Sequence, residues 1–257
     1  MRKVSFLLIV IFSLCVFPYL AQAFDKTGLV LYLNMDEGKG DTLKDLSGNG
    51  NNGKLVDGEW TKGQYNGGIK LSVTKDHIEV ADSDSLHIEE SLTLAIWANV
   101  ESIPDSACAL FMKPTAYMMH TVPAGKGIQP DILVFIGGNY GPWPTPNKAS
   151  APLGEWHHFA ATYDGKKFDL FIDGKRLDGY DRSPNGPIDQ DKTVMFIGRD
   201  NRAGCDARNS PCSLDDAVIF NRALSEVEVK EVMGGNFLAV EPGEKLSTCW
   251  GILKDSQ

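Results

Sequence analysis

The chain has 257 residues, 25 Lys+Arg against 34 Asp+Glu, and a formal charge of −9. Apolar residues at 42% and charged residues at 23% exclude a wholly disordered chain, and 26 glycines without a Gly-X-Y repeat exclude collagen. The acidic balance argues against a partner gripped by its phosphate backbone, so nucleic acid is not expected.

The chain starts with Arg2 and Lys3, then an almost unbroken apolar run from Val4 to Phe17, then Ala21-Gln22-Ala23. A short positive start, an apolar stretch and a small-x-small site predict a secretory signal peptide over 1–23. The apolar run is shorter than the roughly 20 residues a spanning helix needs, so no membrane span is expected after cleavage. Removing 1–23 takes away two basic residues and Cys15. It leaves 234 residues, a formal charge of −11 and four cysteines. An even count suits an extracytoplasmic compartment where disulfides form.

The mature chain reads as strands until close to its end. Leu29 to Leu33 is a short apolar run, followed by the turn-rich segment Leu43 to Gly53. Ile69 to Val73 and His77 to Val80 alternate weakly. Ser91 to Val100 alternates well and is apolar on both faces, as a strand inside a sandwich would be. Ala109 to Lys113 and Asp131 to Ile136 are further strands, the second set among loops over 114–151. Trp156 to Tyr163, the Asp164-Gly165 turn and Lys167 to Asp173 make a hairpin. Asp173-Gly174 turns into Lys175 to Leu177, and Thr193 to Ile197 and Leu214 to Phe220 follow. Strands with turn signals every eight to twelve residues predict an all-β sandwich. One short C-terminal helix is expected, with Ser225 as N-cap, Glu228 completing a capping box and Gly234-Gly235 ending it. The predicted organisation is one domain over 24–240 and a tail over 241–257, where Leu246 to Trp250 offers an extra strand.

Four segments carry a resemblance: GLVLYLNMDEGKGDTLKDLSGNGNNGKL, SLTLAIWANV, EWHHFAATYDGKKFDLFIDGKRL and FIGRDN…SLDDAVIFNRALSEVEV. In that order they resemble LamG-like (laminin G, concanavalin A-like) jelly-roll domains across nearly all of the mature chain. The resemblance implies two antiparallel sheets packed face to face. It also implies carbohydrate, protein or calcium binding in many relatives, and glycan chemistry in some. Function resides in sites grafted on such folds, so the residues must be asked separately.

A retaining glycosidase needs two carboxylates about 5 Å apart, and no Glu-x-Asp-x-Glu strand is present. Asp169 and Asp173 share a face, but Asp173 belongs to a turn. His157 and His158 are adjacent on a strand and point to opposite faces, so they cannot share a metal. No catalytic residue is assigned. Calcium, the candidate cofactor, takes six to eight oxygens from a turning loop. Asp45, Asn49 and Asn51 fit the first half of such a loop, but the twelfth position is Val56. The alternative is that they serve turn conformations. The resemblance adds Asp36 and Glu37 on an early loop and Asp215 and Asp216 on the closing strand. Strand alternation lets only one of the last two face a given side. The candidate metal set is therefore Asp36, Asp45, Asn49, Asp215 and Asp216.

Tyr117, His120, Tyr140 and Trp143 are the candidate ligand surface, since sugars stack on aromatic faces carried by loops. The alternative is that these rings cover the core or a sheet edge. Cys205 and Cys212 flank a six-residue loop that a disulfide would bridge, worth about 2–3 kcal/mol. Cys108 and Cys249 then pair by elimination, although four cysteines allow three connectivities. The expected function is a secreted, non-catalytic binding module for a glycan or an extracellular or cell-surface protein, supported by calcium. The alternatives are a glycan-active hydrolase or lyase, and a structural adhesion protein without a small ligand.

Overall fold

Alternation of apolar residues converts the chain into strands. In the computed structural model, which describes residues 24–72, 75–103, 107–140, 150–178, 185–202, 210–235 and 237–238, the strands are as follows. They are β1 (Leu29–Leu33), β2 (Thr42–Leu43), β3 (Gly53–Val56), β4 (Glu59–Lys62), β5 (Gly67–Leu71), β6 (His77–Val80), β7 (Leu92–Val100) and β8 (Cys108–Lys113). They continue with β9 (Tyr117–Ala124), β10 (Gly127–Ile136), β11 (Asn139–Tyr140), β12 (Trp156–Tyr163), β13 (Phe168–Ile172), β14 (Lys175–Arg176), β15 (Met195–Ile197) and β16 (Cys212–Phe220). One helix, α1 (Glu226–Met233), closes the series. The signal segment, Trp143, Cys205, Cys249 and the tail strand lie outside the described residues, as does the side chain of Tyr140.

Two antiparallel eight-stranded sheets result. One runs β14-β13-β12-β7-β16-β5-β4 with β1 also on β16, and the other runs β11-β10-β9-β8-β15-β6-β3-β2. Strands at the ends of both paths are only two to four residues long, which limits unpaired edge. Leu92, Leu94, Ile96 and Ala98 of β7 point into the core, with Phe159, Ala161 and Tyr163 of β12 beside them. Met119, Ile132 and Val134 face them from the second sheet. Each fully buried Leu, Ile or Phe here contributes about 1.5–3 kcal/mol relative to exposure. The strands and α1 all belong to one compact unit, Lys26–Ala239.

Local chemistry fixes the connections. Asp173 and Gly174 both have positive φ, 50° and 69°, as a two-residue hairpin turn requires. Ser225 accepts from Glu228 N, and Glu228 Oε2 accepts from Ser225 N at 2.8 Å, so the capping box is complete. The loop region 114–151 departs from expectation. In place of loops around one strand it holds the long hairpin β9–β10, paired from Gly127↔Ala124 to Val134↔Tyr117. Pro123 and Pro130 within these strands obscure the alternation that would reveal them.

Candidate functional site

Strand β16 is the centre of the site. On one edge it pairs with β7 along its length. On the other edge β5 covers Cys212–Leu214, and β1 covers Ala217–Phe220. Asp215 and Asp216 fall between these two partners. Here β16 carries one extra residue against β7: Asp215 pairs with Trp97, but Val218 pairs with Ala95. Asp216 takes up the difference with φ 47°, a left-handed conformation that Asp tolerates better than most residues.

This bulge corrects the expectation that only one of the two acids could face a given side. Regular alternation would separate them. The inserted left-handed residue resets the alternation, and both line one cleft of about 490 Å³. Asn34 and Asp36, just past β1, form one wall, and Gln64, Tyr65 and Asn66, in the β4–β5 turn, form another. Gly235 closes the end nearest α1, with φ 72°. A Cβ there would stand 2.8 Å from both Asp216 Oδ2 and the Tyr65 ring, so the position is restricted to glycine.

Hydrogen bonds hold the walls in place. Asp36 Oδ1 accepts from Gly67 N at 2.8 Å, and its Oδ2 accepts from Asn34 Nδ2 at 2.9 Å and Asn66 Nδ2 at 3.3 Å. Asp216 Oδ1 accepts from the Tyr32 hydroxyl at 2.7 Å. Tyr65 N donates to Asp215 Oδ2 at 2.9 Å, and the Tyr65 hydroxyl donates to Met233 O. Trp97 Nε1 donates to the same carbonyl at 3.0 Å, and its ring meets Tyr65 edge-on. The cleft is thus anchored to the end of α1.

One atom is left over. Asp215 is 1% exposed, and its Oδ1 is buried with no hydrogen-bond partner. A buried carboxylate oxygen without a donor is expensive. Accordingly, burial pushes Asp215 up to about 8, against the backbone N–H groups of Tyr65 and Asp216 and with the Asp216 and Asp36 charges adding to it. Burial likewise pushes Asp216 up to about 7, despite the Tyr32 hydroxyl, and Asp36 adds to this. Tyr32 and Tyr65 are raised by burial and then by these carboxylates. The cleft concentrates carboxyl groups and acceptor atoms, and among the described residues no cationic side chain lines it.

The other sequence candidates lie elsewhere. Asp45 does not reach the cleft. Its Oδ1 accepts from Tyr32 N and Ser47 N, and its Oδ2 from Ser47 Oγ and Asn51 N, at 2.7–3.0 Å. Asn49 turns its amide nitrogen inward onto Leu29 O and Val30 O. These two residues organise the turn, with every Asp45 oxygen already used. Tyr117 and His120 do not form one surface either. Tyr117 is in the core with its hydroxyl on Leu86 O. His120 is buried against Asp200 at 3.3 Å. Three residues along a strand invert the face, which separates them. His157 contacts Asp173 at 2.9 Å. His158 packs against Trp97, and burial pushes it down to about 3. Cys108 and Cys212 are both free thiols, so neither shows the pairing with Cys249 or Cys205 expected from loop length and elimination. Tyr32, Tyr65 and Gly235 are site residues that sequence reading missed. Among the described residues, no three carboxylate, imidazole or thiol groups gather around one point where they could share an ion.

Two packed antiparallel sheets in this strand order define a jelly-roll protein. The family profile Laminin_G_3, described as the concanavalin A-like lectin/glucanases superfamily, matches residues 72–230. The chain belongs to that family. No curated protein matches the sequence. Among solved structures, the fold is similar to the binding domain of Paraclostridial Mosquitocidal Protein 1. The TM-score is 0.61 at 20% identity, over 80% of this chain and 52% of that one. It is also similar to domain 4 of AbnA, an extracellular arabinanase from Geobacillus stearothermophilus solved with arabinotriose. There the TM-score is 0.60 at 16% identity, over 79% of this chain and 97% of that one. A sialidase mutant from Trypanosoma rangeli matches with TM-score 0.62 at 15% identity, over 86% of this chain and 35% of that one. This chain therefore spans about half or less of two of these three structures. Among the described residues no helix is long and apolar enough to cross a membrane.

Proposed function

We propose that this is a secreted, non-catalytic binding module for a glycan, and that its contact is the Asp36–Asp215–Asp216 cleft with calcium in support. The observation that carries the reading is Asp215 Oδ1, a buried acceptor without a donor, beside a second carboxyl that burial also raises. Such a pair is stabilised by whatever brings positive charge or hydrogen-bond donors into the cleft. A calcium ion would be held by Asp215 and Asp216, with the amide oxygens of Asn34, Gln64 and Asn66 and backbone carbonyls completing an all-oxygen set. The ion would supply the charge that ionises both acids. Sugar hydroxyls provide donors of the same kind, and Tyr65 lines the same cleft. Support for a glycan comes from the arabinanase domain solved with arabinotriose, and support for surface recognition from the toxin binding domain.

The test is a glycan array probed with calcium and with EDTA, followed by calorimetry of wild type and Asp215→Asn. Binding that needs calcium and is lost in Asp215→Asn supports the reading. A blank array in both conditions, with no heat on calcium titration, overturns it in favour of a structural adhesion protein. Glycan cleavage abolished by Asp215→Asn would make the protein an enzyme, since a carboxyl held near neutral pH is what a general acid requires.

A further inference from the structure

Cys108 begins β8 in one sheet, and Cys212 begins β16 in the other. Both are fully buried in the same core cluster. The strand starts are pinned together by their neighbours: Ser210 Oγ donates to Ala107 O at 3.2 Å, and Glu101 N donates to Pro211 O at 3.0 Å. The two thiols thus meet across the sandwich, and the neighbouring Cys108 thiol, then burial, pushes the Cys212 thiol up. Among the described residues no metal-binding group forms around them, so two thiols placed this way are set to react with each other.

We propose that Cys108 and Cys212 pair with each other as an inter-sheet disulfide formed while the chain folds. The donor of oxidising equivalents is another disulfide, either of a small molecule or of a thiol oxidoreductase. One S–S bond forms between Cys108 and Cys212, and one breaks in the acceptor. The two electrons of the thiol pair pass to the acceptor sulfurs, and the two S–H protons end on the acceptor thiols it releases. Exchange must occur before the sheets close, because afterwards neither sulfur can be reached by a reagent. The bond then ties the two sheets directly and closes a loop of about 100 residues. It replaces the pairing expected from the short Cys205–Cys212 loop with one that spans the core.

The test uses the full chain refolded in a buffer of reduced and oxidised glutathione, then unfolded without reductant in the presence of an alkylating reagent. The expected result is a peptide map in which the Cys108 and Cys212 peptides appear joined, lighter by two hydrogens than the pair of free thiols. Reduction before alkylation must separate them. The C108A/C212A double variant should melt roughly 5–15 °C below the oxidised wild type. Alkylation of both residues in the unreduced sample overturns the proposal. So does a map joining Cys212 to Cys205 or Cys108 to Cys249. The readout is the covalent map of the wild type, so it holds even if the double variant folds poorly.

Discussion

Replacing Asp215 with Asn should remove a pH-dependent penalty from the folded protein. In the fold, burial raises Asp215 to about 8 and Asp216 to about 7, from a reference of 3.8. A raised carboxyl binds more protons folded than unfolded. Its stabilisation is full below the reference value and is lost as pH rises through the folded value. From about pH 6.5 to 8, Asp215 loses roughly 1.6 kcal/mol in this way and Asp216 roughly 0.8 kcal/mol. His158, pushed down to about 3 by burial, has the opposite sign, but most of its effect falls between that value and the reference near 6.5, and it offsets only about 0.4 kcal/mol of the fall above pH 6.5. Asp82, Asp200 and Glu228 are lowered, because their ion-pair and hydrogen-bond partners outweigh burial, so their effects appear only under more acidic conditions. The assay is thermal melting in EDTA across about pH 6.5 to 8. Wild type should lose about 2 kcal/mol, or roughly 4–8 °C, while Asp215→Asn loses less than half of that. Millimolar calcium should flatten the wild-type curve, because a cation keeps both acids ionised. A flat wild-type curve in EDTA, or an equally steep variant, would refute the argument from the orphaned oxygen.

Tyr32→Phe removes the donor to Asp216 Oδ1, so the Asp216 part of the fall should move to higher pH in the same melts. An unmoved curve would deny that contact any electrostatic role. Asp45→Ala strips three backbone N–H groups and the Ser47 hydroxyl of their acceptor, and should cost about 3 kcal/mol or more in denaturant unfolding. Its calcium-dependent melting shift should nevertheless persist, which separates the turn from the cleft. Ser225→Ala opens the capping box of α1 and should cost about 1 kcal/mol by the same unfolding assay.

The strands were legible where side-chain alternation is strong and turns are explicit. Ser91 to Val100 predicts β7, and the Asp164-Gly165 and Asp173-Gly174 turns predict the β12–β13–β14 meander. The helix was legible to its capping box, because Ser225 and Glu228 act locally. The β9 strand was not, since Pro123 interrupts it and its pairing partner supplies the hydrogen bonds that define it. The same limit governs the cysteines. Loop length is a property of the chain, but the contact between Cys108 and Cys212 is a property of two sheets meeting.

The acids show most clearly what sequence alone can and cannot locate. Asp36, Asp215 and Asp216 were candidates through the family resemblance, and all three line the cleft. Perfect alternation would have sent Asp216 inward, into a core of Leu214, Ala217 and Ile219. An ionisable group there would be far costlier than a strained backbone. The bulge resolves this conflict by spending one left-handed residue at the point where β5 ends and β1 begins. At that point β16 has no strand on the edge away from β7, so there is room for a cleft on that side. Asp45, with the same chemistry, lies in a turn dense with N–H donors and satisfies them all. Two identical side chains thus take opposite roles according to the donors around them. The one that keeps an oxygen without a donor is where a ligand is expected.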